Sequence, residues 1–242
     1  MNFTKRYQST EAARTAAAHH SWLQRTGLPV PALTGRHGQV LAFQHLPGRH
    51  AAPSDLPAIA RVLGAAHAHA YRTELQRARL DRTLLLPDGT RLAAFTEGRV
   101  DRVQRLLNEG RVPGATLTAG QAAELIGSAS DEPASYYKDS NPRNFMVTAT
   151  SVTAVDFDDL TLAPFGYDLA KLIATTAMTH GKLPAPLVAD ALSAYNRSVP
   201  HPCTSARLTQ WAEIHHVLTS PYLGRNAYAH SWHTLRPDER TP

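Results

Sequence analysis

Tyr137-Lys138-Asp139-Ser140-Asn141-Pro142-Arg143-Asn144 runs into Phe145-Met146-Val147, then Val152-Thr153-Ala154-Val155, then Asp156-Phe157-Asp158-Asp159. Phe145 to Val147 and Val152 to Val155 read as two short strands around a polar turn. If that hairpin closes, Asn144 and Asp156 emerge side by side at the same end. After Pro164-Phe165-Gly166, Asp168 stands at a helix start, and Leu169 to Met178 continue the helix.

These positions suit phosphoryl transfer. That chemistry asks for a carboxylate at the acceptor hydroxyl, oxygen ligands that hold Mg²⁺ against phosphates, and positive charge near the transferred group. Asp139 and Asn144 have the D-x-x-x-x-N spacing of a kinase catalytic loop. On this reading Asp139 faces the acceptor hydroxyl. Asn144 and Asp156 ligate one or two Mg²⁺ ions, and Arg143 lends charge to the γ-phosphate. The plainer alternatives are turn roles for Asp139 and Asn144 beside Ser-Asn-Pro, and a solvated acidic loop at Asp156 to Asp159. The ordered set of motifs favours a site.

Upstream, Asn2 to Tyr7 reads as a strand, and Ser9-Thr10-Glu11 as the start of an Ala-rich helix reaching Leu23. Gln39 to His45 reads as a strand. Leu56, Ile59, Val62, Leu63 and Ala66 recur at helical spacing. Pro87-Asp88-Gly89 is a turn between two short apolar runs, and Val100 to Glu109 and Thr118 to Ser128 are predicted helices. Downstream, the chain to Arg225 is mostly helical with breaks at Pro184 and near Pro200 and Pro202. Residues beyond Trp232 are expected to be loose.

The whole pattern resembles the aminoglycoside phosphotransferase and choline-kinase-like family. That family reads H-G-D-x-x-x-x-N, a hairpin, a D-x-x-x motif and a later D-[LI]-A; here the chain has Y-K-D-S-N-P-R-N, V-D-F-D-D and Y-D-L-A. Trp22-Leu23 before G-L-P-V-P, Val40 to Gly48, and Ala65-Ala66-His67-Ala68-His69 are similar to the family's upstream landmarks. The resemblance implies an α+β, two-lobed protein-kinase-like fold. A small, truncated β-containing N-lobe on the nucleotide side would span residues 1–48. A larger, mainly helical C-lobe with the catalytic loop and acceptor site would span 49–242. It implies ATP, or another nucleoside triphosphate, and Mg²⁺. Asp139 would be the base, Asn144 and Asp156 metal ligands, Asp158 a supporting or metal residue, and Asp168 a structural brace. Lys5 would bind phosphate, and Gln44, His45 and Leu46 would form the hinge that holds the adenine.

Three departures stand out. Tyr137 and Lys138 replace the family's His-Gly. Ala16 stands where the family's helix carries the glutamate paired to its lysine, and Glu11 is the nearest acid. No glycine-rich loop precedes Lys5, so a partner protein completing the N-lobe is an expectation. Two readings from different classes follow: an active kinase, or a pseudokinase scaffold that binds a partner without catalysis.

The chain has 242 residues, 43% of them hydrophobic and 19% charged, with a net charge of +5. Anionic partners therefore fit: nucleotide phosphates, an acidic peptide or an acidic protein. The basic residues are scattered without interleaved aromatics, which argues against nucleic acid. The single cysteine, Cys203, reads as a buried thiol, and the N-terminus carries no signal peptide, so a cytoplasmic protein is expected. No apolar run is long enough to span a membrane. From Lys171 to Pro242 the acids are Asp190, Glu213, Asp238 and Glu239, against seven Lys or Arg. This argues against a polycationic antibiotic as acceptor; an antibiotic-resistance phosphotransferase is kept as an alternative. A neutral or acidic hydroxyl-bearing small molecule, or a Ser or Thr of a precursor peptide, fits better. Some family members phosphorylate such a peptide ahead of a lyase partner in natural-product pathways. The adjacent pairs His19-His20 and His215-His216 point in different directions on a helix and read as structural rather than metal-ligating.

Overall fold

Strand β1 (Asn2–Arg6) leads into α1 (Thr10–Arg25), whose cap is Ser9: its hydroxyl accepts the Ala12 N–H. In α1, Ala13, Ala16, Ala17, Trp22 and Leu23 are buried, so the Ala-rich run serves close packing. Strands β2 (Leu33–His37) and β3 (Val40–Gln44) complete an antiparallel sheet in the order β1-β3-β2. The sequence gives no warning of β2: Leu33 is half-buried and the rest exposed. Backbone pairing along β3 makes it a strand without an alternating apolar pattern. Residues 2–158 and 160–236 are described by the computed structural model; Asp159, Asp238 and Glu239 lie outside them.

Strand β4 (Arg49–His50) ends the first part of the chain. Helix α2 (Leu56–Ala70) follows and buries Leu56, Ile59, Leu63 and Ala66 as the spacing predicts. A one-turn π-helix at Tyr71–Leu75 extends it. A small hairpin, β5 (Leu84–Leu85) and β6 (Arg91–Leu92), frames the turn at Pro87-Asp88-Gly89. Helices α3 (Arg99–Asn108) and α4 (Ala119–Gly127) match the predicted segments to within two residues. Strands β7 (Ala134–Tyr137), β8 (Phe145–Val147), β9 (Val152–Ala154) and β10 (Thr161–Pro164) carry the central segment. The expected hairpin is β8–β9, and β4 joins it on the other side of β8. Strand β10 returns antiparallel to β7. Helices α5 (Tyr167–His180), α6 (Ala185–Asn196) and α7 (Ser205–Thr219) close the core.

Aromatic contacts tie α1 to the larger part of the molecule. The Trp22 ring meets Tyr136 edge-on with centroids 5.0 Å apart, and its Nε1–H donates to Glu74. His67 sits against Tyr136 and bonds the Tyr195 hydroxyl at 2.8 Å. The four paired histidines bond backbone carbonyls: His19 to Asp158 and Arg91, His20 to Pro31, His215 to Tyr167 and His216 to Pro113. They are structural, and all four are buried.

The expectation of a loose end past Trp232 is corrected for residues 233–236. Trp232 is buried and donates its indole N–H to Glu213, while Arg236 forks onto both Glu213 oxygens. A buried carboxylate on α7 needs those donors, and the tail supplies them.

Helix α2 lies so close to α6 that a Cβ on Gly64 would stand 2.5 Å from the Tyr195 carbonyl oxygen. Gly64→Ala is therefore expected to destabilise the fold by about 1–3 kcal/mol, read as a lower midpoint in urea unfolding at unchanged slope.

Candidate active site

The site is built from the bottom by Asp168, in the first turn of α5 and fully buried. Its Oδ1 accepts the Ser140 N–H at 2.9 Å, and its Oδ2 accepts the Ser140 hydroxyl at 2.7 Å. Burial pushes this carboxyl up; the Lys138 ammonium and the Ser140 bonds oppose that. The bonds pin the loop just past Asp139, which adopts φ +64°, and Asp156 adopts φ +61°. Both are non-glycine residues in the left-handed region, where aspartate is among the better-tolerated side chains.

Asn144 lies at the end of a short 3₁₀ turn that Asn141 caps through Arg143 N–H. Its Nδ2 donates to the Asp139 carbonyl at 2.9 Å, and its amide oxygen has no protein partner among the described residues. The Val155 N–H donates to the Asn144 carbonyl at 2.9 Å, which brings Asn144 and Asp156 to the same end of the β8–β9 hairpin.

Two cavities meet there. One, of about 460 Å³, is lined by Lys5, Gln44, His45, Leu46, Arg143, Asn144 and Asp156, with Phe3, Phe43, Met146 and Phe157 among its apolar walls. The other, of about 690 Å³, is lined by Asp139, Tyr137, Tyr167, Lys171 and His215, by Arg91, Arg99 and Arg102, and by Tyr222 and Tyr228. Arg143 and no other side chain belongs to both among the described residues. Asp158 lines neither; it accepts bonds from Lys5 at 2.6 Å and from the Tyr7 hydroxyl at 3.1 Å.

Lys5 also reaches Asp156 Oδ1 at 2.7 Å. Glu11 instead pairs with Arg14 on the exposed side of α1, and Ala16 is buried. The ammonium therefore has no helix glutamate and rests between two carboxylates of the site. Asn144 and Asp156 supply hard oxygen donors, which suit Mg²⁺, an ion that keeps waters and phosphate oxygens in its shell. No group of three or more His, Cys, Asp or Glu positioned for a metal occurs among the described residues. A fit to Mg²⁺ thus depends on phosphates completing the shell.

Asp139 is held in an uncommon way. Tyr137 donates its hydroxyl to Oδ1 at 2.5 Å, and the Lys171 ammonium lies 3.2 Å from the same oxygen. Oδ2 has no protein partner among the described residues. Burial pushes this carboxyl up, but Lys171 and the Tyr137 hydroxyl outweigh it and bring it down to about 2. Cys203 is buried and its thiol is pushed up to about 12 by burial, as befits an inert residue.

Sequence reasoning missed Lys171, Tyr137 and, of the arginines of the larger cavity, Arg91, Arg99 and Arg102. The signal for Lys171 was present: it follows Asp168 by three residues, on the same face of α5. Tyr137 stands where the resemblance puts a histidine, and nothing in its spacing announces that its hydroxyl reaches Asp139. These arginines come from residues 91–102, far along the chain from the catalytic loop and with no motif to mark them.

The sequence profile of the "Phosphotransferase enzyme family" matches residues 3–203. A comparison with curated proteins found no match. Among solved structures, an amicoumacin kinase in complex with AMP-PNP, Ca²⁺ and Ami superposes with TM-score 0.64 at 13% identity, covering 90% of this chain and 72% of that one. A choline/ethanolamine kinase family protein from Mesorhizobium loti gives TM-score 0.57 at 16% identity, covering 90% and 70%. An aminoglycoside phosphotransferase from Streptomyces rimosus, in complex with ADP and streptomycin, gives 0.55 at 14%, covering 88% and 84%. At these identities the likeness concerns the fold, and the expected α+β kinase-like architecture is the one observed.

Replacing Asp168 by Asn would turn an amide towards the Ser140 N–H and hydroxyl. Asp168→Asn is expected to cost about 2–3 kcal/mol from donors left unmatched in the interior, measured by urea unfolding.

Proposed function

The chain belongs to the phosphotransferase enzyme family, and on that premise we propose that it transfers the γ-phosphate of ATP, or of another nucleoside triphosphate, to a hydroxyl acceptor. The observation that carries the proposal is the meeting of two cavities at Arg143, with Asn144 and Asp156 on one side and Asp139 on the other. Residues 1–48 then serve the nucleotide, and 49–242 supply the catalytic loop and the acceptor cavity.

The apolar cavity takes the nucleotide base between Phe43 and Met146, against the hinge at Gln44, His45 and Leu46. Lys5 meets its phosphates, exchanging part of its bond to Asp156. Asn144 and Asp156 would hold Mg²⁺, which supplies charge neutralisation at the phosphates when bound. Arg143 bears on the γ-phosphate from the wall shared by the two cavities.

The free Oδ2 of Asp139 receives the acceptor hydroxyl. The hydroxyl oxygen forms its bond to phosphorus as the terminal phosphoanhydride bond breaks, ADP leaves, and the hydroxyl proton passes to Oδ2. A carboxyl at about 2 is a weak base. It orients the hydroxyl and takes the proton late, which suits a loose transition state with little need for early deprotonation. Lys171, beside it, keeps the carboxylate charged.

The decisive experiment is phosphate transfer from labelled ATP to a panel of hydroxyl acceptors with the purified chain. Asp139→Asn is expected to lower kcat by about 10²–10⁴-fold. Asp156→Ala should abolish Mg²⁺-dependent nucleotide binding in a titration calorimeter. Nucleotide binding without any turnover, unchanged by Asp139→Asn, would instead support a scaffold that binds without catalysis.

The pH dependence follows from the sign of the Asp139 shift. The folded value lies below the ordinary 3.8, so its pairing stabilises the fold above that value and is lost as pH falls towards 2. The acid limb of kcat due to Asp139 should accordingly lie below the working range. In Lys171→Met, burial acts with less opposition, and the acid limb should move upward into that range; a profile identical to wild type would rule out this role for Lys171.

A further inference from the structure

Resting on the phosphotransfer reading of the cavity at Asp139, we propose that its acceptor is a hydroxyl compound carrying an anionic group, a carboxylate or a phosphate, held by Arg99 and Arg102. The cavity wall carries five cations, Arg91, Arg99, Arg102, Arg143 and Lys171, against two carboxylates, Glu97 and Asp139. Lys171 is paired with Asp139. None of the four arginines has a carboxylate partner among the described residues, so the positive charge is left for a ligand.

Arg99 is built to receive one. Its Nη1 donates to the Phe95 carbonyl at 2.5 Å and its Nη2 to the Thr161 hydroxyl at 2.7 Å. The guanidinium lies over the rings of Phe95, Tyr137 and Tyr167, at 4.8, 5.3 and 5.4 Å from their centroids. Those contacts fix its orientation before a ligand arrives, so little side-chain freedom is lost on binding, and donors remain on the guanidinium for an oxyanion.

Arg102 follows one helical turn along α3 on the same face, steadied by the Tyr222 hydroxyl at 3.0 Å. Helix α3 also starts at the cavity: its N-cap, Gly98, lines the wall, and no side chain caps it. The Arg99 and Val100 N–H groups donate to the Thr96 carbonyl, so the positive potential here is that of the two guanidinium groups, with the aligned peptide dipoles of α3 behind them. Tyr137 links the two functions, with its ring under Arg99 and its hydroxyl on Asp139. An anion on Arg99 and a hydroxyl at Asp139 therefore lie about one tyrosine side chain apart, within the reach of one acceptor molecule.

Two sources share this chemistry, a small hydroxy acid and an acidic stretch flanking a Ser or Thr in a peptide. The test titrates the full chain calorimetrically with glucarate, neutral glucitol and cationic glucosamine, and with a serine tripeptide flanked by glutamates and its lysine-flanked counterpart. The expected result is that glucarate or the glutamate peptide binds at least about tenfold more tightly than its neutral or cationic counterpart. Whichever does so identifies the source. Arg99→Gln and Arg102→Gln should each remove most of that preference; if Arg99→Gln does not fold, the half-buried Arg102 carries the test. No binding by either anion, equal binding of charged and neutral probes, a preference for the cations, or an unchanged preference in both variants overturns the proposal. Anion binding with no phosphate transfer from ATP counts against the phosphotransfer reading alone. Transfer to neutral acceptors with no anion preference leaves that reading standing and removes the anion site.

Discussion

A single buried carboxylate sets the shape of the site. Asp168 has no water to solvate it, so it must find donors, and those within reach are the N–H and hydroxyl of Ser140 and, at 3.4 Å, the N–H of Lys138. Satisfying them fixes the loop one residue beyond Asp139 and holds that residue in the left-handed region. The loop in turn fixes the Asp139 carbonyl, which accepts the side-chain amides of both Asn141 and Asn144. The order of these dependencies runs from α5 to the loop and then to the hairpin, so the proposed base and metal ligands share one foundation.

Much of this was legible in the sequence because it rests on local spacing. The five-residue interval from Asp139 to Asn144 and the apolar runs of β8 and β9 encode a loop and hairpin that form from neighbouring residues. Helix α1 is betrayed by its Ser9 cap, α2 by its apolar spacing, and α5 by Gly166 and the acid Asp168 at its start. The elements that escaped are those with no local pattern. Strand β2 is almost wholly exposed, and β10 owes its existence to β7, some two dozen residues earlier in the chain. The contact of Lys171 with Asp139 spans 32 positions and depends on the fold already being made. The packing of the last described residues likewise depends on Glu213, a buried acid whose need for donors cannot be read from composition.

The departures from the family pattern have physical counterparts. Without a glutamate at position 16, Lys5 settles on Asp156 and Asp158 and draws β1 towards the segment after β9. With Tyr137 in place of histidine, the hydroxyl becomes a second donor to Asp139 Oδ1. Lys138 lies fully buried above the Phe145 ring at 4.7 Å, where burial pushes its ammonium down and the neighbouring carboxylates resist. Lys5 and Tyr137 thus each donate to a carboxylate of the site, and Lys138 lies in the field of Asp168.

Arg143 lies in the wall common to both cavities, beside the Tyr228 ring on the acceptor side and next to Asn144 on the other. A replacement at this position cannot be tuned for one pocket in isolation, because the same side chain bounds both. Preference for the donor and preference for the acceptor are thereby coupled at Arg143. A change of acceptor made at residues 91–102, which touch only the larger cavity, leaves the nucleotide side untouched, whereas one made at the partition alters both.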